Sequence, residues 1–152
     1  MSDRGAGWVV AQFALMALCL AAAVVPPDWP SAARTTLAVV GGLLALAGLV
    51  VAAAAARALG RGLTPFPRPV PGAPLSYAGP YRVVRHPMYA GGLLFFLGWS
   101  LFAGPVALVV TGALAVLWAG KTAVEERHLR TAYPAYDAYA ARVRFRLVPW
   151  IY

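Results

Sequence analysis

Cysteine, acidic residues and asparagine are scarce or missing in this 152-residue sequence. The single cysteine, Cys19, has no partner within the chain and offers neither an intramolecular disulfide nor a metal site, so we interpret it as a packing residue. Only 12% of the residues are charged while 61% are hydrophobic, which excludes an ordinary soluble domain and favours a bilayer as the solvent. We predict one membrane domain over residues 1–152.

Four apolar runs predict membrane helices. Residues 8–25 and 36–56 are each long enough to cross about 30 Å of hydrocarbon as a helix. Residues 89–102 and 105–120 are shorter and nearly contiguous, which predicts a helical hairpin. The predicted fold is all-α: an integral membrane bundle of about four transmembrane helices, with the last two as a hairpin, followed by a cytoplasmic C-terminal helix.

The first apolar run has an alternative interpretation as a secretory signal peptide, because the alanines at 21–23 resemble a cleavage site. The run is longer than the apolar region of about 7–15 residues found in such peptides. Asp3 also offsets Arg4 in what would be the basic leading segment. We therefore expect this segment to be retained as a membrane helix.

Positive charge is concentrated in the linker at residues 57–87 and in the tail at residues 121–152. By the positive-inside rule both segments face the cytoplasm, and with four spans the N-terminus does too. The absence of asparagine beside abundant alanine, glycine, proline and arginine indicates a GC-rich bacterial genome, hence the inner membrane. Topology and anionic lipid headgroups account for the net charge of +8, so no nucleic acid is expected as a partner.

The linker is interrupted by prolines at positions 65, 67, 69, 71 and 74. Proline lacks the amide hydrogen that a helix interior needs, so we predict an extended loop here. Such a loop is pre-ordered and could fold over a ligand, although a simple spacer is the alternative.

Polar chemistry gathers at the start of the third apolar run, in the stretch GPYRVVRHPMYAGG at residues 79–92. Pro87 suits the first turn of a helix and holds His86 extended. The amides and positive dipole end of that helix would attract an anion, and Tyr89 and Gly92 share one helix face. The alternative interpretation is an interfacial belt of aromatic and basic anchors, with the glycine used for helix packing.

A second polar cluster follows the fourth run. Lys121 and Glu125 are four residues apart and share a helix face, as do Glu126 and Arg130. A solvated helix surface with internal ion pairs is the alternative interpretation. If the last two helices form a hairpin, this cluster emerges beside residues 85–89, so we predict that the two clusters meet.

The blocks GRGLTP, RHPMYAGG, VEERHL and YPAYDAYAARVRFRLVP, in this order, resemble the isoprenylcysteine carboxyl methyltransferase and phospholipid methyltransferase family, especially its short bacterial members. The resemblance runs from residue 60 to residue 149, and the first two spans match only as apolar helices. It implies an integral membrane enzyme that uses S-adenosylmethionine, releases S-adenosylhomocysteine and methylates a lipid or small hydrophobic acceptor (carboxylate, thiol or amine) at the cytoplasmic face. No metal and no protein partner are implied.

The resemblance also assigns candidate site residues. The implied cofactor-binding positions are Leu75, Ser76, Tyr81, His86, Pro87, Met88, Tyr89, Gly92 and Glu125, under a linker cover that includes Ala73 and Pro74. Lys121 stands where family members usually carry an arginine facing the methyl acceptor, and Lys121, Arg85 and Glu126 are the candidate catalytic residues. An amine or neutral thiol acceptor would need a base, for which His128 or Glu126 is the local candidate.

Two other functions remain open on the sequence. Membrane sterol and enone reductases carry a similar RHPxYxG signature and use NADPH, although the EExxL block favours a methyl donor. A non-catalytic helical membrane protein whose basic face binds anionic lipid is the other alternative.

Overall fold

The computed structural model describes residues 5–25, 27–149 and 151, and over these residues the chain is helical with no strand. Asp3 and Arg4, used above to weigh a signal peptide, lie outside the described residues. Five α-helices follow one another: α1 (Ala6–Ala21), α2 (Ser31–Leu59), α3 (Pro87–Ala103), α4 (Pro105–Ala132) and α5 (Tyr136–Arg142). Short 3₁₀ turns lie at Ala22–Val24, Gly60–Gly62 and Gly79–Arg82, and the rest of the linker is not helical, as its prolines predict.

Three helices of the described chain are long and apolar enough to cross a membrane: α1 with its 3₁₀ extension, α2 and α4. Helix α3 is apolar but has only 17 residues, so the described residues contain three candidate spans and one shorter apolar helix, where about four spans were predicted. Helix α4 continues past Gly120 to Ala132, which confirms that the chain leaves its apolar run as a helix. The last helix of the described residues is the seven-residue α5.

Helices α3 and α4 form the predicted hairpin, with Gly104 as the connection. Gly104 has a φ of 117°, a conformation that disfavours side chains, and a Cβ built there would lie 3.1 Å from Cα of Pro27. The tight connection runs the two helices antiparallel, so the start of α3 and the far half of α4 lie side by side.

The α2–α3 contact is made through glycines that allow the two backbones to touch. A Cβ built on Gly41 would lie 2.5 Å from the carbonyl oxygen of Gly98, and one built on Gly48 would lie 2.5 Å from that of Gly91. Small residues are the usual means of close helix approach in membranes. Gly42, next to Gly41 on the same helix, faces open space.

Cys19 lies in a buried polar cluster that joins three helices. Its Sγ lies 3.2 Å from Oγ1 of Thr111 on α4, which in turn hydrogen-bonds Oγ of Ser100 on α3 at 2.8 Å. The thiol is fully buried, in agreement with a packing role. Hydrogen bonds of this kind contribute to helix association in membranes.

Candidate active site

A cavity of about 650 Å³ lies between helices α1, α2, α3 and α4 and beneath the linker and tail, within the usual size range of small-molecule sites. Its apolar part is lined by Phe13, Met16, Leu20, Leu49, Phe95 and Phe96. Its polar end is lined by Ser76, Tyr81, His86, Tyr89, Glu125, Tyr136 and Tyr139. Between Tyr89 and Phe96 the cavity follows α3 for seven residues, or about 10 Å at the helical rise.

The start of α3 brings four residues of the RHPMY block, Arg85, His86, Met88 and Tyr89, to the wall of this cavity. Pro87 occupies the first helical position, as predicted. His86 precedes it with φ −125° and ψ 61°, so its backbone is not extended as the sequence predicted. Tyr89 and Gly92 both line the cavity, whereas Pro87 is buried behind it. The space beside Gly92 is already taken by another helix, because a Cβ there would lie 2.7 Å from the Trp118 ring of α4.

Glu125 is the acid that faces the cavity, and the hairpin brings it to His86 as predicted. Its Oε2 lies 3.4 Å from Nδ1 of His86, and its Oε1 accepts a hydrogen bond from the hydroxyl of Tyr89. The ring of Tyr89 lies between this carboxylate and Trp118, whose ring centroid is 5.2 Å away. The predicted meeting of the two polar clusters is therefore observed.

Glu126 has a different environment, although it is the next residue. Its carboxylate is completely buried, does not line the cavity, and is surrounded by four cationic or ionisable partners. These are Arg85 Nε at 2.8 Å, Arg146 Nε at 3.2 Å, Arg130 Nη2 at 3.4 Å and His86 Nε2 at 3.4 Å. Glu126 is therefore not on a solvated helix face, and it does not line the cavity. Its ion pairs connect α4 to the residues before α3 and to the tail.

His86 lies between the two carboxylates. Burial alone would lower the pKa of its imidazole, but the hydrogen bonds and charges of Glu125 and Glu126 outweigh that effect and raise the pKa above its usual value. Each ring nitrogen faces a carboxylate oxygen, and only the imidazolium has a proton for both. The pair of glutamates therefore favours a charged His86.

The C-terminal tail closes the site from outside, a contact that the sequence did not indicate. The amides of Arg85 and His86 donate to the carbonyls of Phe145 and Arg146, each at 2.9 Å. The Arg85 guanidinium also donates to the carbonyls of Val143 and Arg144, each at 2.7 Å. Arg85 thus lines the cavity, but its guanidinium is paired with Glu126 and with carbonyls of the tail. The amides of Arg85 and His86 are likewise already hydrogen-bonded within the protein.

Lys121 does not reach the cavity. Its side chain is fully buried, and Nζ donates to Oε1 of Gln12 on α1 and to the carbonyl of Pro65 in the linker, each at 2.6 Å. The structure therefore places it as a link between α4, α1 and the proline-rich cover. Gln12 was missed from the sequence, where the only signal is a lone amide inside an apolar run.

Replacement of Lys121 by methionine should destabilise the protein, because the Gln12 and Pro65 oxygens lose a buried donor. The expected loss is about 1–3 kcal/mol in the free energy of unfolding, measured in detergent. Arg127→Met, an exposed position on the same helix, is the matched control and should have little effect. Equal stability of the two variants would contradict the linking role.

The other predicted cofactor positions, Leu75, Ser76, Tyr81 and Met88, all line the cavity. Ser76 is fixed by donating to the carbonyl of Ala58 at 2.9 Å. Ala73 and Pro74 line it too, so the linker covers the cavity rather than only spacing two helices. His128 does not line it. Among the described residues no group of three or more potential metal-binding side chains occurs.

Comparison with known proteins relates this site to a family. Residues 36–136, from α2 to the start of α5, match the family model described as phospholipid methyltransferase. Over 67 residues, or 43% of the chain, the sequence is 34% identical to the cobalt-zinc-cadmium resistance protein CzcN of Cupriavidus metallidurans, covering 31% of that protein. Over 85 residues, or 53% of the chain, it is 33% identical to the Delta(14)-sterol reductase TM7SF2 of Mus musculus, covering 20% of it.

The chain therefore spans less than a third of the length of these two curated relatives. The family match, in contrast, covers about two thirds of the chain and includes the whole linker, α3 and the part of α4 that carries Glu125. The chain belongs to the phospholipid methyltransferase family.

Proposed function

We propose that the protein is an integral membrane S-adenosylmethionine-dependent methyltransferase that methylates a lipid or small hydrophobic acceptor at the cytoplasmic face of a bacterial inner membrane. The observation that carries this proposal is a single cavity with a carboxylate and aromatic rings at one end and apolar helix surfaces at the other. The basic linker and tail support a cytoplasmic position for that polar end, and for both termini, by the positive-inside rule.

The residues present fit the proposed cofactor. S-adenosylmethionine would supply a methyl group on a positively charged sulfur, with an ammonium, a carboxylate, a ribose and an adenine to be recognised. Glu125 offers a carboxylate for the ammonium or ribose hydroxyls, and the rings of Tyr89 and Trp118 offer aromatic surface to a cation. The linker residues over the cavity would exclude water from this end.

The apolar part of the cavity supports an acceptor that arrives from the bilayer. It is formed by α1, α2 and α3, and two of these are long and apolar enough to cross a membrane. A hydrophobic acceptor could therefore reach the polar end along helix surfaces without passing through water. Holding two reactants in line is the main contribution such a site makes to methyl transfer, because the reaction disperses charge.

The need for a base depends on the acceptor. A carboxylate or thiolate needs none, whereas an amine or neutral thiol must lose a proton. Neither Glu126 nor His128 lines the cavity, and the acidic and imidazole side chains that do so among the described residues are Glu125 and His86. Any base-assisted transfer would therefore depend on this pair, while Glu126 and Lys121 support the site from behind.

The proposal is tested by calorimetric titration of the purified protein with S-adenosylhomocysteine. Wild-type protein should bind saturably, and Glu125→Gln should weaken binding at least tenfold, because a charge-assisted contact is lost. Asp137→Asn, an acid on α5 whose side chain is 76% exposed, is the control and should bind as wild type does. Absence of saturable binding by the wild type would refute the proposal.

A second candidate is an NADPH-dependent reductase of the sterol or enone type, favoured by the partial match to a sterol reductase. It predicts an enone-dependent loss of NADPH absorbance and no effect of adenosylhomocysteine. A non-catalytic lipid-binding protein would instead tolerate His86→Ala and Tyr89→Phe. Incubation of membranes with labelled S-adenosylmethionine, followed by identification of the labelled species, would distinguish these functions and reveal the acceptor.

A further inference from the structure

Three tyrosines in the tail, Tyr133, Tyr136 and Tyr139, repeat at intervals of three residues, and the proposed function assigns them no role. Two of them fasten the tail to the linker. The hydroxyl of Tyr133 donates to the carbonyl of Ala73 at 2.7 Å, and that of Tyr139 donates to the carbonyl of Tyr81 at 2.8 Å. Their hydroxyl groups therefore have a structural purpose.

The middle tyrosine differs from its neighbours. Tyr136 is 1% exposed and lines the cavity, and within the described part of the chain its hydroxyl has no hydrogen-bond partner. A buried hydroxyl without a partner destabilises a fold, because the group has lost its hydrogen bonds to water. Such a group in a native structure calls for an explanation, and a bound ligand is one of the few that apply.

The contacts of the Tyr136 ring do not need the hydroxyl. The ring packs edge-on against Tyr139 at a centroid distance of 5.8 Å, and the Arg130 guanidinium lies 5.6 Å from its centroid. Phenylalanine would make both contacts without the cost of a buried polar atom. Burial and the nearby charge of Glu126 raise the pKa of Tyr136, so the hydroxyl keeps its proton and can donate.

We infer that the Tyr136 hydroxyl is a ligand-binding group of the cavity, which donates a hydrogen bond to an oxygen or nitrogen atom of the bound methyl donor or of the methyl acceptor. This inference rests on the proposed function and extends it to a residue of the tail. On this inference the tail has two roles: it covers the cavity, and through Tyr136 it contacts the bound ligand.

The experiment compares Tyr136→Phe with the matched variants Tyr133→Phe and Tyr139→Phe in the purified full-length protein. Without ligand, Tyr136→Phe should be as stable as the wild type or more stable, since no protein hydrogen bond is lost. The two matched variants should be less stable, because each removes a bond to a carbonyl. A Tyr136→Phe protein that loses as much stability as Tyr139→Phe would overturn the inference.

Ligand measurements then identify the source of the contact. If the methyl donor is bound, Tyr136→Phe should weaken S-adenosylhomocysteine binding about 3- to 10-fold in calorimetry, the loss of one hydrogen bond. If the acceptor is bound, that affinity should be unchanged, and half-maximal transfer of labelled methyl to detergent-dispersed lipids of the expression host should need about 3- to 10-fold more lipid.

Wild-type binding of S-adenosylhomocysteine separates the two levels of inference. If the wild type does not bind, the proposed function fails. If the wild type binds and Tyr136→Phe leaves both the affinity and the lipid dependence unchanged, the role of Tyr136 fails while the proposed function stands.

Discussion

Replacement of Glu126 by alanine should lower the free energy of unfolding by about 3–5 kcal/mol, because it leaves buried charges without their counter-ion. The carboxylate is fully buried and lies within 3.4 Å of Arg85, His86, Arg130 and Arg146. Arg85 and Arg146 belong to the contact that holds the tail against the start of α3, so the tail should also detach. Unfolding in detergent and the rate of tryptic cleavage after Arg142, Arg144 and Arg146 measure the two effects.

Glu125→Ala is the matched control, one residue away on the same helix. Its carboxylate lines the cavity and accepts a hydrogen bond from the Tyr89 hydroxyl. Loss of this carboxylate should abolish S-adenosylhomocysteine binding, while the tail should remain protected from trypsin. The two variants should therefore have different defects: Glu125→Ala should lose ligand binding, and Glu126→Ala should lose stability. Equal protection of the tail in both variants would contradict the assignment of Glu126.

Replacement of Gly41 by alanine should destabilise the α2–α3 contact. The added Cβ would lie 2.5 Å from the carbonyl oxygen of Gly98, and backbone atoms cannot turn away as a flexible side chain can. Overpacking of this kind costs about 1–3 kcal/mol, and sometimes more. The variant should unfold at a lower denaturant concentration, and since α2 and α3 form two walls of the cavity, its affinity for S-adenosylhomocysteine should fall as well.

Gly42→Ala is an unusually close control, because the position is adjacent on the same helix and nothing lies within 4 Å of the added Cβ. Alanine forms helices better than glycine by about 0.8–1.0 kcal/mol, so this variant should be at least as stable as the wild type. If both alanine variants behaved alike, the backbone contact seen between α2 and α3 would not be a determinant of stability.

Much of the site could be predicted from the sequence because it follows from local chemistry and a short connection. Pro87 specifies the start of α3, and the near-contiguous apolar runs make α3 and α4 antiparallel. Because α3 and α4 form a hairpin, His86 and Glu125 must lie at the same end of it. Nδ1 of His86 is 3.4 Å from Oε2 of Glu125. The spacing of Lys121 to Glu125 likewise places both on one face of α4, with Nζ and Oε1 separated by 3.9 Å.

The different roles of neighbouring residues could not be predicted in this way. Glu125 and Glu126 have the same side chain, and only the direction each takes from α4 decides that one faces the cavity and the other the arginines. Lys121 was predicted to face the acceptor, yet it binds Gln12 and Pro65, partners that lie more than 50 residues away in the chain. Contacts of that separation depend on how all the helices pack, which local sequence does not encode.

The sequence by itself determined that this chain is apolar enough for a bilayer, which segments form its apolar helices, that α3 begins at Pro87, and which blocks carry polar chemistry. These features follow from hydrophobicity, proline geometry and helical spacing, which act over a few residues. Only the tertiary structure decided which of those polar groups share a cavity, that the tail returns across about 60 residues to cover it, and that the Tyr136 hydroxyl is buried there without a partner. Whether a polar group is buried and paired depends on every element that surrounds it. In this protein the elements around the cavity include α1 near the start of the chain and the tail near its end.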